Sequence, residues 1–254
     1  MRNIAVQLEY DGTHFVGSQY QAQGRTVQAE VEGAWQRLTG EDRRWTFAGR
    51  TDAGVHAQGQ VANVCTTTTQ TVATVQRALN ALLPPDIAVR ATWEVSAEFH
   101  ARRSAVQRRY RYTILNQVAP SALQRYRWWH VWTPLDLGAM REAARYLVGE
   151  HDFGSFGVVD QGSTVRRCML AHCLGQERDG YALVVIDLAA NGFLRHMVRT
   201  ITAILVDVGR GKLVPSDVRP LLERADRSLV QVMAPAHGLS LMAVQYGTAA
   251  ALNI

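Results

Sequence analysis

Lysine is nearly missing from this chain: Lys212 is the only one among 27 basic residues, and the rest are arginine. Guanidinium groups suit bidentate phosphate contacts and stacking on bases. A G+C-rich genome produces the same bias, so the placement of the arginines says more than their number. The net charge of +5 and the pI near 9.4 permit a polyanionic partner without requiring one. Cysteine is scarce too. Cys65, Cys168 and Cys173 are odd in number and contain no CxxC pair, which indicates neither a disulfide framework nor a zinc site. Such thiols suit a reducing cytosol. No stretch reaches the roughly 20 apolar residues that a membrane helix needs. MRNIAVQLEY has no basic region followed by an apolar run, so it does not read as a signal peptide. The expected location is the cytoplasm.

What is present reads as an ordinary globular chain. Its 254 residues, 47% hydrophobic and 19% charged, suit one large core or two modest ones. Ile4, Val6, Leu8 and Tyr10 alternate as a strand before the Asp11-Gly12 turn. Thr26 caps a helix with the stripe Val27, Val31, Ala34 and Leu38, ended near Gly40. Val61 to Cys65 is a strand, and Thr66 to Thr71 leads into a helix through Val75, Leu79 and Leu82 that Pro84-Pro85 stops. Ile87 to Trp93 is a further strand. A join between two halves falls within Phe99 to Arg111. Beyond it come a strand at Tyr110 to Ile114, a helix from Leu137 to Leu147, and a central apolar strand at Ala182 to Leu188. A long helix carrying Phe193, Met197, Ile201, Ile204 and Val208, a short helix after Ser216 and a last strand at Leu239 to Tyr246 complete the chain. Strands and helices mixed in both halves predict two α/β (α+β) layers, each a sheet with helices on one face. The halves are placed at residues 1–105 and 106–254.

The most informative segment is FAGRTDAGVHA at Phe47 to Ala57. Asp52 stands two residues after Arg50 and four before His56, between Gly49 and Gly54. On extended backbone Arg50 and Asp52 share a face, and the cation would hold the carboxylate ionised against desolvation. By spacing alone, a surface turn with a weak ion pair is the favoured reading of the segment. Asp52 has no acidic neighbour in sequence nearer than Asp42, which disfavours a metal-dependent nuclease or a glycosidase. Arg102, Arg103, Arg108, Arg109 and Arg111 lie close together beside Tyr110 and Tyr112. Alternation puts both tyrosines on one face, with Arg109 and Arg111 on the other, facing phosphate or an acidic neighbour.

GRTDAGVHAQGQVA resembles the active-site signature of the tRNA pseudouridine synthase A family. Other segments are similar to that family in order along the chain: YDGTHFVGSQ, NALLPPDIAV, FHARRSA, RRYRY, GEHDFGSF, NGFLRHMVR and GLSLMAVQY. The resemblance implies two ferredoxin-like halves with antiparallel sheets side by side and an active cleft between them. The N-terminal half would carry the catalytic Asp loop; the C-terminal half would complete the cleft and the dimer interface of a homodimer. It implies conversion of uridine to pseudouridine in the anticodon stem-loop of tRNA, at positions 38, 39 and 40. No cofactor and no metal are implied. Asp52 corresponds to the catalytic carboxylate and nucleophile. Attack on the anomeric carbon, attack on the base and removal of a ribose proton are all open to such a group.

By the same resemblance, Tyr110 stacks on the target uracil, Arg50 grips the flipped nucleotide, Arg199 is a second partner for Asp52, and Leu241 is an apolar wall behind the base. Arg166 is a candidate RNA contact. His56, His100 and His196 lie inside motifs and read as neutral structural histidines. The family commonly has GWQ where this chain has Gly17-Ser18-Gln19, a departure that removes an aromatic and no catalytic group. A non-catalytic tRNA-binding protein on the same fold would have no need of Asp52.

Overall fold

The computed structural model describes residues 1–158 and 162–247. The strands and longer helices are, in chain order, β1 (Arg2–Tyr10), α1 (Val27–Thr39), β2 (Thr46–Phe47), β3 (His56–Thr66), α2 (Val72–Leu82), β4 (Ile87–Val95), β5 (Ala105–Leu115), β6 (Trp129–His130), α3 (Leu137–Arg145), β7 (Gly149–Asp152), β8 (Val165–Arg178), β9 (Tyr181–Ala190), α4 (Met197–Gly209), α5 (Val218–Arg224) and β10 (Leu239–Tyr246). The chain forms two compact units. One holds Met1–Arg108 and the last strand from Leu241, and the other holds Arg109–Ser240. The expected mixed α/β class is present in both.

In the first unit the sheet runs β4–β1–β3–β10, with β1 antiparallel to both β3 and β4. Ile4, Val6 and Leu8 are fully buried, as their alternation predicts. Thr26 caps α1 by accepting the Ala29 N–H at 3.2 Å, and Gly40 ends the helix in the left-handed region at φ 76°. Thr71 caps α2 in the same way, so the threonine run is the join between β3 and α2. Gly59 is required where β3 meets β10, because a Cβ there would lie 2.4 Å from the Met242 carbonyl oxygen.

In the second unit the sheet runs β5–β9–β8–β7, with β7, β8 and β9 antiparallel. Helix α3 packs on β8 and α4. The sequence pattern does not reveal β8. A register shift between Cys168 and Leu170 breaks its two-residue period, and from Leu174 onward its residues are exposed. Helix α4 begins at Met197, not at Phe193, because His196 adopts φ 70° and interrupts the helical backbone. Its buried face includes Met197, Ile201, Ile204 and Val208, the expected stripe.

Candidate active site

The segment leaving β2 is fastened residue by residue. Ala48 N–H donates to Val61 O at 2.8 Å. The side-chain amide of the fully buried Gln60 holds Gly49 on both sides, donating to its carbonyl at 2.7 Å and accepting its N–H at 3.3 Å. Thr51 is buried, and Asp52, half-buried, forms an isolated antiparallel bridge with Gly17. The chain then turns: Val55 N–H returns to Asp52 O at 3.1 Å, Gly54 N–H donates to Phe15 O at 3.3 Å, and Gly54 has φ 77°. A side chain would strain that backbone, which is why glycine stands there.

The first motif and the Asp52 segment interlock. A Cβ on Gly12 would lie 2.0 Å from the Val55 carbonyl oxygen, so only glycine permits the approach. Gly12 N–H donates to His56 Nδ1 at 3.0 Å. The same nitrogen lies 3.2 Å from Asp11 Oδ1, so His56 ties both Asp11 and Gly12 to the start of β3. Asp11 caps the short turn that follows, accepting the Thr13 N–H at 3.1 Å. Arg25 ties the approach to α1 by a bidentate pair with Asp86, at 2.6 and 2.9 Å, and by Glu30 at 2.6 Å.

Arg50 is exposed and makes no ion pair with Asp52 or any other acid among the described residues. The backbone bends at Ala48 and Gly49 before it reaches Arg50, and the bridge to Gly17 is made at Asp52. Leu241, on β10, is completely buried. These three residues belong to the first unit.

Tyr110 and Arg199 belong to the second. Tyr110 is 7% exposed on β5 and stands edge-on to Phe193, with ring centroids 5.1 Å apart. Tyr112 shares its strand face but is fully buried and donates its hydroxyl to Pro235 O at 2.7 Å. Burial drives the Tyr112 hydroxyl far above its usual pKa, so it is a core group. Arg109 and Arg111 meet an acidic neighbour, Asp187, which the sequence reading left unnamed: Arg109 Nη2 lies 2.8 Å from Oδ2, and Arg111 donates to both oxygens at 2.9 and 2.8 Å. Asp187 is 3% exposed on β9. Burial alone would raise its pKa, and the two guanidinium groups overcome that and lower it.

Arg199, half-buried on α4, donates Nε–H to Ala234 O at 2.8 Å, while its own carbonyl accepts the Ala234 N–H at 3.1 Å. Arg166 donates to Ser163 O at 2.8 Å and Val165 O at 2.6 Å, an arrangement that steadies its own loop. Among the described residues, no three His, Cys, Asp or Glu side chains gather as a metal site. No helix there is long and apolar enough to cross a membrane.

These features define a class: a mixed α/β protein that presents a carboxylate on a tightly fastened glycine turn and carries an arginine- and tyrosine-rich strand. A family model described as tRNA pseudouridine synthase matches residues 6–102 and 143–247. A tRNA pseudouridine synthase A of Roseiflexus castenholzii is 54% identical over 255 residues, covering 99% of this chain and 94% of that one. Its counterpart in Chloroflexus aurantiacus is 48% identical, covering 97% and 89%, and that of Geotalea daltonii is 42% identical, covering 97% and 100%. This chain belongs to the tRNA pseudouridine synthase family. Asp52 and its whole turn lie inside the matched region.

Proposed function

We propose that this protein is the enzyme that isomerises uridine to pseudouridine in the anticodon stem-loop of tRNA, at positions 38, 39 and 40, with Asp52 as its catalytic carboxylate. The observation that carries this reading is the half-buried Asp52 on a turn fastened by the first motif, within the family match. The reaction breaks the bond from ribose C1′ to uracil N1, turns the base, joins C5 to C1′ and returns a proton to N1 after C5 loses its own. Asp52 acts as nucleophile on the anomeric carbon or the base, or removes a ribose proton.

The other site residues follow from the same reading. Tyr110 stacks on the uracil, and its ring is already seated against Phe193. Taking the base out of its stack costs a few kcal/mol. Arg50, an exposed guanidinium, meets the nucleotide or its phosphate in this reading. The family likeness assigns Arg199 as a second partner for the Asp52 carboxylate and Leu241 as apolar wall behind the base. Residues 1–105 carry the catalytic Asp loop, and residues 106–254 supply Tyr110, Arg199 and the surface through which two copies pair. The protein works in the cytoplasm on tRNA, without a cofactor.

The test is tritium release from unmodified tRNA carrying 5-tritiated uridine. Wild type should release tritium and Asp52→Asn should release none while binding tRNA within about threefold of wild type. Release by Asp52→Asn would end the assignment, and loss of its tRNA binding would recast Asp52 as structural.

A further inference from the structure

The Asp52 turn is held from below by a residue outside its own motif. Ser18 is 1% exposed, and its hydroxyl oxygen accepts the Thr51 N–H at 2.8 Å. Its backbone N–H donates to Thr51 O at 3.0 Å, and its carbonyl accepts the N–H of Gln28, in the first turn of α1, at 2.9 Å. The Thr51 side chain is engaged as well: its Oγ1 lies 2.8 Å from the hydroxyl of Tyr10, which accepts from Gln60 Nε2 at 3.4 Å. All the polar groups of Thr51 therefore have partners within a buried network of Ser18, Tyr10 and Gln60. One residue further on, Asp52 is half-buried and Ala53 exposed. Thr51 is thus anchored next to the carboxylate, and Asp52 O in turn accepts the Val55 N–H at 3.1 Å.

We propose that Ser18 is a positioning residue for Asp52, linking the first turn of α1 to the backbone that aims the carboxylate. This rests on Asp52 being the catalytic group. The physical basis is twofold. A buried N–H without an acceptor is expensive, so Thr51 has one favoured position while the Ser18 hydroxyl is present. A displacement of about 1 Å at a reacting group costs on the order of a hundredfold in rate. Serine at position 18 therefore does more than replace a bulkier side chain: it supplies an acceptor, which an indole, a donor only, does not.

The test compares Ser18→Ala, Ser18→Thr and Tyr10→Phe by steady-state tritium release and by amide exchange, with Asp52→Asn alongside. Ser18→Ala should lower kcat about tenfold, equivalent to about 1.4 kcal/mol of barrier, with KM unchanged within about twofold. Exchange should quicken in the peptide from Thr51 to Val55 and not in β1, β3 or α1. Ser18→Thr, which keeps the hydroxyl, should recover most of the rate. A folded Ser18→Ala enzyme with wild-type kcat overturns the proposal. So does exchange that quickens throughout the unit while KM rises with the loss of rate, since that marks a merely structural residue. Should Ser18→Ala fail to fold, Tyr10→Phe removes only the hydroxyl beside Thr51 Oγ1 and should lower kcat about threefold; wild-type kcat there overturns the proposal. An active Asp52→Asn would strike down the catalytic assignment itself, independently of the Ser18 result.

Discussion

Two tyrosines one strand period apart have been given different work by their surroundings. Tyr112 has no exposed surface and its hydroxyl is committed to Pro235 O. Gly238 packs so closely that a Cβ there would lie 2.5 Å from the Tyr112 ring. Tyr110 keeps 7% exposure and a ring contact with Phe193. Stacking needs the ring and not the hydroxyl, so Tyr110→Phe should keep turnover within about tenfold while Tyr110→Ala loses about a hundredfold or more. Tyr112→Phe should leave kcat unchanged and cost about 1 kcal/mol in urea unfolding, the worth of one hydrogen bond. Equal losses from Tyr110→Phe and Tyr110→Ala would move the role from the ring to its hydroxyl.

At the level of the elements, cross-strand charge holds the tyrosine-bearing strand in place. Asp187 on β9 receives Arg109 and Arg111 from β5, so the face of β5 opposite the tyrosines is tied to its neighbour. Asp187→Ala should cost about 2–3 kcal/mol in denaturant unfolding, because a buried acceptor of two charged donors is removed. In the first unit, Glu41 joins the end of α1 to the end of β3. Burial works against its charge, but the hydroxyls of Thr67 and Thr66, the Thr67 N–H and Arg43 overcome that and hold its pKa at about 2, below the ordinary 4.5. A carboxylate with a lowered folded pKa stabilises fully above its unfolded value, and that contribution disappears as pH falls through the folded one. Unfolding free energy measured against pH should therefore decline between about pH 5 and 2, and Glu41→Gln should flatten part of that decline. An unchanged acid limb in the variant would show that Glu41 does not contribute.

For the whole molecule, the reaction requires rearrangement of bonds within one nucleotide, with no net oxidation and no group gained or lost. Turnover should accordingly survive an excess of chelator, checked by tritium release before and after dialysis; loss that returns on adding a divalent ion would refute cofactor-free catalysis, provided tRNA folding is monitored separately. Much of this was legible beforehand. Thr26 and Gly40 announced the ends of α1, the apolar alternation announced β1, and one uninterrupted motif identified Asp52. Strand β8 was not legible, because its bulge erased the period on which strand reading depends. Nor was the start of α4, which depends on a left-handed His196 that propensity disfavours.

The sequence by itself determined the reaction class, through motifs that run in order along the chain and match one family, and it nominated Asp52 as the carboxylate. Tertiary structure decided which partner each polar side chain meets and which side chains lie in the core. It turned Ser18 from an apparent loss of an aromatic into an acceptor for Thr51, gave Arg109 and Arg111 a shared partner in Asp187, and left Arg50 exposed. Those outcomes depend on segments far apart in the chain meeting at hydrogen-bond distance. Local pattern constrains only nearby residues, and such meetings arise when the backbone has folded and every buried polar group must find its partner.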